Sequence, residues 1–203
     1  MDALMAGDFT RADDPLLLFQ TWLDEARRTE INDPEAMALA TADADGLPDV
    51  RMVLMKGFDA RGVVFYTNGQ SAKGREIAAT GKAAALFHWK SLRRQIRIRG
   101  AVSGVTEAEA DAYFATRHPQ SQVGAWASQQ SRPLAERKTL EDEAARLGAK
   151  FAGGPVPRPP HWTGFRIALW AIEFWADGAY RLHDRVLFTP AAEGGWSRQR
   201  LHP

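Results

Sequence analysis

The sequence predicts a mainly β protein of the α+β class, in which an antiparallel sheet of about six to eight strands closes into a barrel with helices at its rim. Several β-forming segments in the first half are joined by short turns, and these favour antiparallel neighbours because parallel strands need long crossovers. The longest alternating segment, residues 93–105, carries polar side chains on one face and apolar side chains on the other. Helix signals fall in separate segments outside the predicted strands.

The first predicted element is a helix that begins at Asp14-Pro15, because aspartate is a good N-cap and proline fits the first helical position. Its apolar stripe consists of Leu16, Phe19, Leu23 and Ala26. Asp45-Gly46 is a hairpin signal between the first two strands that follow. The elements predicted up to residue 89 are strands at 37–42, 49–57 and 63–67, a helix at 71–80 that Gly81 ends, and a strand at 83–89.

In the strand at 93–105, alternation places Arg93, Gln95, Arg97 and Arg99 on the face opposite Ile96 and Ile98. Thr106 and Glu109 form a capping-box pattern that opens a helix to about residue 117. Ser121 is the predicted cap of a second short helix through residue 126. A longer helix carries the stripe Leu140, Ala144, Leu147 and Phe151. The last predicted strands are 165–175, which is apolar on both faces, 179–188 and 196–201.

The overall composition is that of an ordinary globular protein, with 203 residues, 45% hydrophobic and 25% charged. One domain over 1–203 is expected, with residues 1–13 as a flexible N-terminal segment. A net charge of +1 argues against general binding to nucleic acids or membrane surfaces, which depends on a large positive excess. The polar N-terminus lacks the apolar core of a signal peptide, and no apolar run reaches the ~18 residues of a membrane span. We therefore expect a cytoplasmic protein.

Several common catalytic motifs are absent from the sequence. There is no glycine-rich dinucleotide fingerprint, no phosphate-binding P-loop and no G-x-S-x-G elbow. The chain has no cysteine, and its five histidines lack the spacing of metal ligands. We therefore expect no metal site and none of the usual hydrolase chemistries.

Four clusters of polar side chains are candidates for binding anions. They are Arg51 to Lys56; Tyr66, Thr67 and Asn68 with Ser71 and Lys73; Tyr113, Arg117 and Ser121; and Arg181, His183 and Arg185 with Trp175 nearby. The second cluster surrounds a predicted helix N-terminus, where unpaired N–H groups and the helix dipole favour a phosphate. The fourth places three cationic or titratable groups on one face of a predicted strand, and an anion would offset their repulsion.

Each cluster also has a purely structural interpretation. Arg51 and Lys56 can be the solvated ends of an amphipathic strand, and strict alternation puts them on opposite faces unless a bulge intervenes. Tyr-Thr-Asn is common turn chemistry. The third cluster can be an exposed helix end, and the fourth a solvated edge strand.

Six motifs taken together resemble the pyridoxamine 5′-phosphate oxidase family, the flavin enzymes of vitamin B6 salvage. They are R-M-V-L-M-K, F-Y-T-N, R-Q-I-R-I-R-G, Y-F-A-T-R followed by S-Q-x-G-A-W, I-E-F-W and R-L-H-D-R, in that order along nearly the whole chain. The resemblance implies an FMN-binding split β-barrel, antiparallel and of Greek-key type with peripheral helices. It also implies a homodimer that holds two FMN at the subunit interface.

The resemblance assigns the site residues one by one. FMN contacts are implied for Arg51, Met52, Val53, Leu54, Met55, Lys56, Tyr66, Thr67, Lys73, Gln95, Gln130, Ser131, Trp175 and Arg185. Substrate contacts are implied for Lys56, Tyr113, Arg117, Ser121, Arg181, Leu182 and His183. Arg181 and His183 would form the catalytic pair, with Arg181 orienting the substrate and His183 binding it or relaying a proton.

The sequence departs from the family pattern in two places. One concerns cofactor binding, and the other concerns the N-terminal segment and any lid that it forms over the site. Ala72 stands where the family has an arginine, so one phosphate contact is missing, and the segment before Asp14 matches poorly. The implied activity is oxidation of pyridoxamine and pyridoxine 5′-phosphate by O2, with FMN as the cofactor. The alternatives are a non-catalytic split barrel that binds flavin or pyridoxal phosphate, and a nucleic-acid-binding barrel that uses Arg93, Arg94, Arg97 and Arg99.

Overall fold

The computed structural model describes residues 8–203, which contain five α-helices and ten strands. The helices are α1 Pro15–Thr29, α2 Ala72–Thr80, α3 Glu107–Ala115, α4 Pro119–Ala127 and α5 Arg137–Lys150. The strands are β1 Ala36–Ala42, β2 Pro48–Leu54, β3 Gly57–Asp59, β4 Gly62–Asn68, β5 Lys82–Trp89, β6 Arg94–Gly104, β7 Trp162–Ile167, β8 Ala171–Ala176, β9 Asp184–Pro190 and β10 Trp196–Arg200. Among these residues, none of the helices has both the length and the apolar character needed to span a bilayer.

The sheet is a split barrel, because β6 is shared between two sets of partners and every pairing is antiparallel. One set has the strand order β10-β9-β8-β6-β5-β1-β2, and the other runs from the end of β6 through β7 and β4 to β3. The strand β6 leaves β8 at Arg99 and joins β7 at Val102. A Cβ on Gly100, between these points, would lie 2.0 Å from the Ala168 carbonyl oxygen, so only glycine allows this close crossing.

The first helix is capped and amphipathic, as predicted, and it packs its apolar face into the barrel. Asp14 accepts hydrogen bonds from the backbone N–H groups of Leu16 and Leu17, which confirms the N-cap. Phe19 stacks on Phe58 with ring centroids 3.9 Å apart, and the Arg94 guanidinium lies 4.6 Å above the ring of Trp22. The helix therefore closes one end of the core.

Most element boundaries that depend on local chemistry are confirmed. Ser71 caps α2 and Gly81 ends it in the left-handed conformation, at φ 64°. Thr106 and Glu109 form the predicted capping box, although the helix ends at Ala115 rather than near residue 117. The cap of α4 is wrong: His118 Nδ1 accepts from the Gln120 N–H, and Ser121 lies inside the helix.

Three predicted strands are wrong in extent because of tertiary pairing. The segment 165–175 is two strands, since β7 pairs with β4 and the end of β6 whereas β8 pairs with the start of β6. The segment 49–57 breaks after Leu54, and β3 forms a separate pair with β4. The segment 179–188 becomes a strand only at Asp184, because a 3-10 turn precedes it at Ala179–Arg181.

The expected flexible segment, residues 1–13, is described only in its C-terminal part, and that part differs from the prediction. Phe9–Arg11 form a 3-10 turn, and the Phe9 ring packs edge-on against Trp22 with centroids 5.0 Å apart. Arg198 on β10 donates to the carbonyl oxygen of Ala12 at 2.9 Å. Residues 8–13 are therefore packed against the barrel, and the rest of the predicted segment, 1–7, lies outside the described residues.

Candidate functional site

The lysine pocket, formed by Thr67, Ser71, Lys73 and Gln130, lies where β4 leads into α2. Lys73 Nζ is 3.1 Å from Gln130 Oε1, 3.3 Å from Thr67 Oγ1 and 3.4 Å from Ser71 Oγ. All three oxygens are neutral, and the Lys73 side chain is buried. Burial lowers the pKa of Lys73, and the positive charge of Arg51 lowers it further. An anion in this pocket would therefore stabilise a charge that the protein only partly compensates.

Arg51 lies beside the lysine pocket on β2, where it contacts two carboxylates. Its guanidinium donates to Glu76 Oε2 at 3.1 Å and to Asp49 Oδ2 at 2.5 Å, and it also contacts the Thr41 hydroxyl. Glu76 lies midway along the same helix that carries Lys73, and its side chain is 13% exposed. An anion that binds Arg51 must therefore share this guanidinium with Glu76 and Asp49.

The remaining residues of the R-M-V-L-M-K motif differ from one another in burial and in position. Met52 and Leu54 are exposed on β2, Val53 packs against the core, and Met55 is buried. Lys56 follows the end of β2, and its backbone N–H donates to the Val64 carbonyl oxygen on β4. The predicted conflict between Arg51 and Lys56 therefore disappears, because a single regular strand does not contain both.

The arginine pocket, formed by Tyr66, Tyr113, Arg117 and Trp162, is a stack of aromatic rings beside a guanidinium. Tyr66 stacks on Tyr113 with centroids 4.2 Å apart and on Trp162 at 5.3 Å. The Arg117 guanidinium lies 5.1 Å from the Trp162 ring centroid. Its Nη1 is buried with no hydrogen-bond partner among residues 8–203. Burial lowers the pKa of Arg117, so this cation lacks the partner that a buried charge requires.

The two pockets open into one cavity of about 360 Å³. Thr67 and Gln130 line it from the lysine pocket, and Arg117 lines it from the arginine pocket together with the exposed Ser121. The predicted second and third clusters are therefore brought together. The alternation of side chains along the sequence could not reveal this, because β4 and α4 are distant in sequence and meet only in the folded chain.

The ring row, formed by Gln95, Trp175 and Arg185, lies on adjacent strands β6, β8 and β9. Gln95 pairs in register with Trp175, and Trp175 pairs with Arg185. They line a cavity of about 210 Å³. Arg185 donates through Nε to Glu173 Oε1 at 2.9 Å and through Nη1 to the His202 carbonyl oxygen at 2.9 Å. Glu173 is buried and also pairs with Arg97, so it holds two arginines on this face.

The C-terminal loop, residues 177–183, carries Arg181 and His183. Tyr180 and Arg181 both have left-handed backbone conformations, with φ of 58° and 66°, so the predicted alternation of Arg181, His183 and Arg185 on one strand is wrong. Arg181 and Leu182 are exposed, whereas the His183 ring packs against Trp175 with centroids 4.6 Å apart. His183 therefore remains next to the ring row, and Arg181 projects from a turn.

Two further polar residues were not evident from the residues alone. Gln130 came only from the family resemblance, and its Oε1 accepts from Lys73 across a sequence gap that no local pattern spans. Ser131, which came with it, is exposed at a φ of 67°. Glu76 and Glu173 were not predicted, although Glu173 is the acidic residue of the I-E-F-W motif.

These features form two groups that lie far apart in one chain. Arg51 lies on β2, beside the helix α2 of the lysine pocket, whereas the ring row runs from Gln95 on β6 to Arg185 on β9. Three inter-strand steps separate β6 from β2 and five separate β9 from β2, or roughly 14 Å and 24 Å along the sheet at about 4.8 Å a step. Arg51 and Arg185 are therefore too far apart by that path to contact the same phosphate.

The sheet surface between the two groups is concave and rich in apolar side chains. A cavity of about 960 Å³ is lined by residues such as Ala40, Ala84 and Leu187. Beside it, Val50 and Met52 on β2 are each 63% exposed. Apolar surface of this kind marks an interaction site more often than a solvated face.

Comparisons with known proteins cover nearly the whole chain. Residues 23–151 match the family model described as pyridoxamine 5′-phosphate oxidase, and residues 162–203 match the model described as the C-terminal dimerisation region of pyridoxine 5′-phosphate oxidase. A pyridoxine/pyridoxamine 5′-phosphate oxidase of Nitrobacter winogradskyi is 63% identical over 98% of this chain and 94% of its own. One of Caulobacter vibrioides is 62% identical over 94% of this chain and 86% of its own.

Solved structures agree with the fold. PhzG of Burkholderia lata, crystallised with tetrahydrophenazine-1-carboxylic acid, is 35% identical with a TM-score of 0.89, covering 95% of this chain and 94% of its own. A pyridoxamine 5′-phosphate oxidase-related, FMN-binding protein of Nostoc punctiforme has a TM-score of 0.73 over 95% of this chain and 100% of its own. It is 16% identical, so it supports the fold alone.

Proposed function

Because the chain belongs to the pyridoxamine 5′-phosphate oxidase family and is an oxidase, we propose that it converts pyridoxamine 5′-phosphate and pyridoxine 5′-phosphate to pyridoxal 5′-phosphate. The electron acceptor is O2, which leaves as H2O2, and the amine substrate also consumes water and releases ammonia. The observation that carries this proposal is the unpaired, buried Nη1 of Arg117, in the same cavity as the lysine pocket. Two phosphorylated ligands, each with about −1.5 to −2 charge, need two such cationic positions.

The residues present fit FMN as the cofactor. A phosphate suits the lysine pocket, where the Lys73 ammonium faces neutral oxygens and α2 begins with its unpaired N–H groups. Arg51 extends this positive region despite the alanine at position 72. The ring row offers an indole, an amide and a guanidinium to a flat polar ring. When bound, FMN would supply the hydride acceptor for the substrate carbon.

The arginine pocket is the proposed site of the substrate phosphate. Arg117 would donate to the phosphate oxygens, with Tyr113 and Ser121 beside it. Each charge-assisted hydrogen bond contributes about 1.5–3 kcal/mol. Arg181 would orient the substrate from the C-terminal loop, and His183 would accept the proton that the substrate releases as its carbon is oxidised.

The two groups of residues would meet across a dimer. The match of residues 162–203 to a dimerisation region, which contains the ring row's Trp175 and Arg185, supports a homodimer. In this arrangement the lysine and arginine pockets of one protomer face the ring row and C-terminal loop of its partner. FMN and substrate would then lie in the interface, with the two rings held face to face.

Anaerobic titration of the purified protein tests the proposal. We expect a yellow protein whose flavin absorbance bleaches on addition of pyridoxamine 5′-phosphate and returns with O2, with one H2O2 formed per pyridoxal 5′-phosphate. Pyridoxamine without its phosphate is the matched control, and it should react far more weakly because Arg117 has nothing to bind. A flavin-loaded protein that neither bleaches nor consumes oxygen would favour the non-catalytic binding protein instead.

The nucleic-acid-binding alternative receives less support. Arg93, Arg94 and Arg97 are paired with Asp177, Glu25 and Glu173, so three of its four arginines are already engaged by carboxylates. Support for the nucleic-acid-binding alternative would require salt-dependent binding to oligonucleotides at micromolar protein concentration.

A further inference from the structure

The imidazole of His183 has a carboxylate and a backbone N–H donor at the same ring nitrogen. Asp177 Oδ1 lies 3.2 Å from His183 Nδ1, and the Gly178 N–H donates to that nitrogen at 3.1 Å. The other nitrogen, Nε2, makes no hydrogen bond to any of residues 8–203, and the ring borders a cavity of about 390 Å³. Both groups at Nδ1 therefore control which nitrogen of the ring carries the proton.

Asp177 is itself held in place by Arg93. Asp177 Oδ2 accepts from Arg93 Nη1 at 2.9 Å, and the Asp177 backbone N–H donates to the Arg93 carbonyl oxygen at 3.0 Å. Arg93 adopts a left-handed conformation, with φ of 51°, in the turn before β6. One carboxylate oxygen is thus anchored to the neighbouring turn, while the other is directed at the imidazole.

The two partners at Nδ1 favour opposite tautomers. The Gly178 N–H needs a lone pair on Nδ1, which leaves the proton on Nε2 and makes that nitrogen a donor. The Asp177 carboxylate needs a proton on Nδ1, which leaves a lone pair on Nε2 and makes that nitrogen a base. Only the second tautomer can accept a proton from a bound substrate at Nε2.

We propose that Asp177, anchored by Arg93, is a positioning residue that holds His183 in the tautomer able to act as a base. This inference rests on the proposed function for the reaction that uses the base. In pyridoxine 5′-phosphate, the proton of the 4′-hydroxyl moves to His183 Nε2. The electron pair of the O–H bond becomes the second C–O bond, and the C4′ hydrogen would leave as hydride, for which FMN would supply the acceptor when bound. The imidazolium that forms is stabilised by Asp177 through the Nδ1 proton.

The amine substrate makes a smaller demand on this base. An amine can lose its proton to water before the hydride leaves, and its lone pair then forms the C–N double bond without a base in the transition state. A hydroxyl is too weak an acid for this route. Loss of Asp177 should therefore reduce oxidation of the alcohol more than oxidation of the amine.

The test compares Asp177→Asn with Asp184→Asn in the flavin-loaded enzyme. Asp184 is a matched control, since it is adjacent to His183 in sequence, lines the same cavity and pairs with Arg200. We expect Asp177→Asn to lower kcat for pyridoxine 5′-phosphate about 100-fold, with a smaller loss for the amine and unchanged flavin content. Asp184→Asn should change both rates less than about twofold, as expected for an exposed pair. Equal losses in the two variants, or equal losses for the two substrates, would overturn the proposal.

A spectroscopic measurement tests the tautomer without relying on turnover. In protein labelled with ¹⁵N-histidine, the neutral His183 ring should show its proton on Nδ1 in the wild type and on Nε2 in Asp177→Asn. A wild-type ring already protonated on Nε2 would contradict the role of Asp177. A wild-type protein that oxidises neither substrate would instead contradict the proposed function, and the ring signals would still decide the role of Asp177.

Discussion

At the scale of single residues, the partners of buried arginines separate structural roles from binding roles. Arg158 and Arg166 have side chains that are 11% and 13% exposed, and each contacts two carboxylates. Arg117 is also half-buried, yet its Nη1 has no partner in residues 8–203. A charge that the fold leaves uncompensated costs stability, so it is retained for a ligand rather than for folding.

Arg117→Met should therefore separate binding from stability. We expect KM for the phosphorylated substrate to rise about 10- to 100-fold, because one or two charge-assisted hydrogen bonds are lost. The free energy of unfolding of the ligand-free protein should stay level or rise by about 1 kcal/mol, because an unpaired buried charge is removed. Steady-state kinetics and urea unfolding measure the two effects.

Arg158→Met is the control for that substitution. It removes a guanidinium that holds Glu107 and Asp111, so it should lower stability and leave KM unchanged. If Arg117→Met destabilised the protein as much as Arg158→Met and left KM unaltered, Arg117 would be a structural residue.

The buried ammonium of Lys73 predicts a pH-dependent stability in the ligand-free protein that bound FMN removes. Its pKa in the folded protein is lowered by burial, so the unfolded chain binds the proton more strongly between that lowered value and the ordinary lysine pKa. Raising the pH through this window should stabilise the ligand-free wild type relative to Lys73→Met. Bound FMN phosphate should remove this gain, because the anion favours the charged ammonium.

Urea unfolding of both proteins from about pH 7 to about pH 10, with and without FMN, measures this difference. A wild-type curve parallel to that of Lys73→Met in the absence of ligand would mean that the Lys73 ammonium is not penalised by its surroundings.

At the scale of elements, local signals were predictable and tertiary breaks were not. The caps at Asp14, Ser71 and Thr106 follow from side-chain oxygens next to their own helices, which the sequence contains. The break between β7 and β8 depends on where β6 changes partner, and residues 165–175 alone read as one apolar strand. The turn before β9 was not predicted either. Tyr180 and Arg181 adopt left-handed backbone conformations there that few side chains favour.

The C-terminal loop provides a prediction at this scale. A Cβ at Gly178 would lie 2.1 Å from the Leu182 carbonyl oxygen, so Gly178→Ala must open the loop that carries Arg181 and His183. We expect kcat/KM to fall at least about tenfold with flavin retained. Gly104→Ala is the control, since nothing lies within 4 Å of its added Cβ and its activity should be normal. Equal activities of the two variants would show that the loop geometry is not needed for turnover.

At the scale of the whole molecule, the proposed function requires residues from two copies of the chain at each site. The sequence predicted four candidate anion-binding clusters, and the fold brings the lysine and arginine pockets into one cavity. It leaves Arg185 of the ring row about 24 Å from Arg51 along the sheet. The sequence pattern of one chain does not show this separation, or that a second copy would bridge it. In the proposed dimer, the exposed apolar face between the two groups is the surface on which a second copy would complete both sites.

The most direct test of this account uses a heterodimer of two inactive variants. Lys73→Ala should lose flavin from the lysine pocket, and Arg181→Ala should keep flavin but lose most of its kcat/KM. Co-expressed with different affinity tags and purified through both, the heterodimer should hold one site with both defects and one intact site. We predict that it binds one tight FMN per dimer and regains oxidase activity that neither homodimer has. A purified heterodimer as inactive as its parents would contradict the account, because the two groups of residues would then serve a site within one protomer.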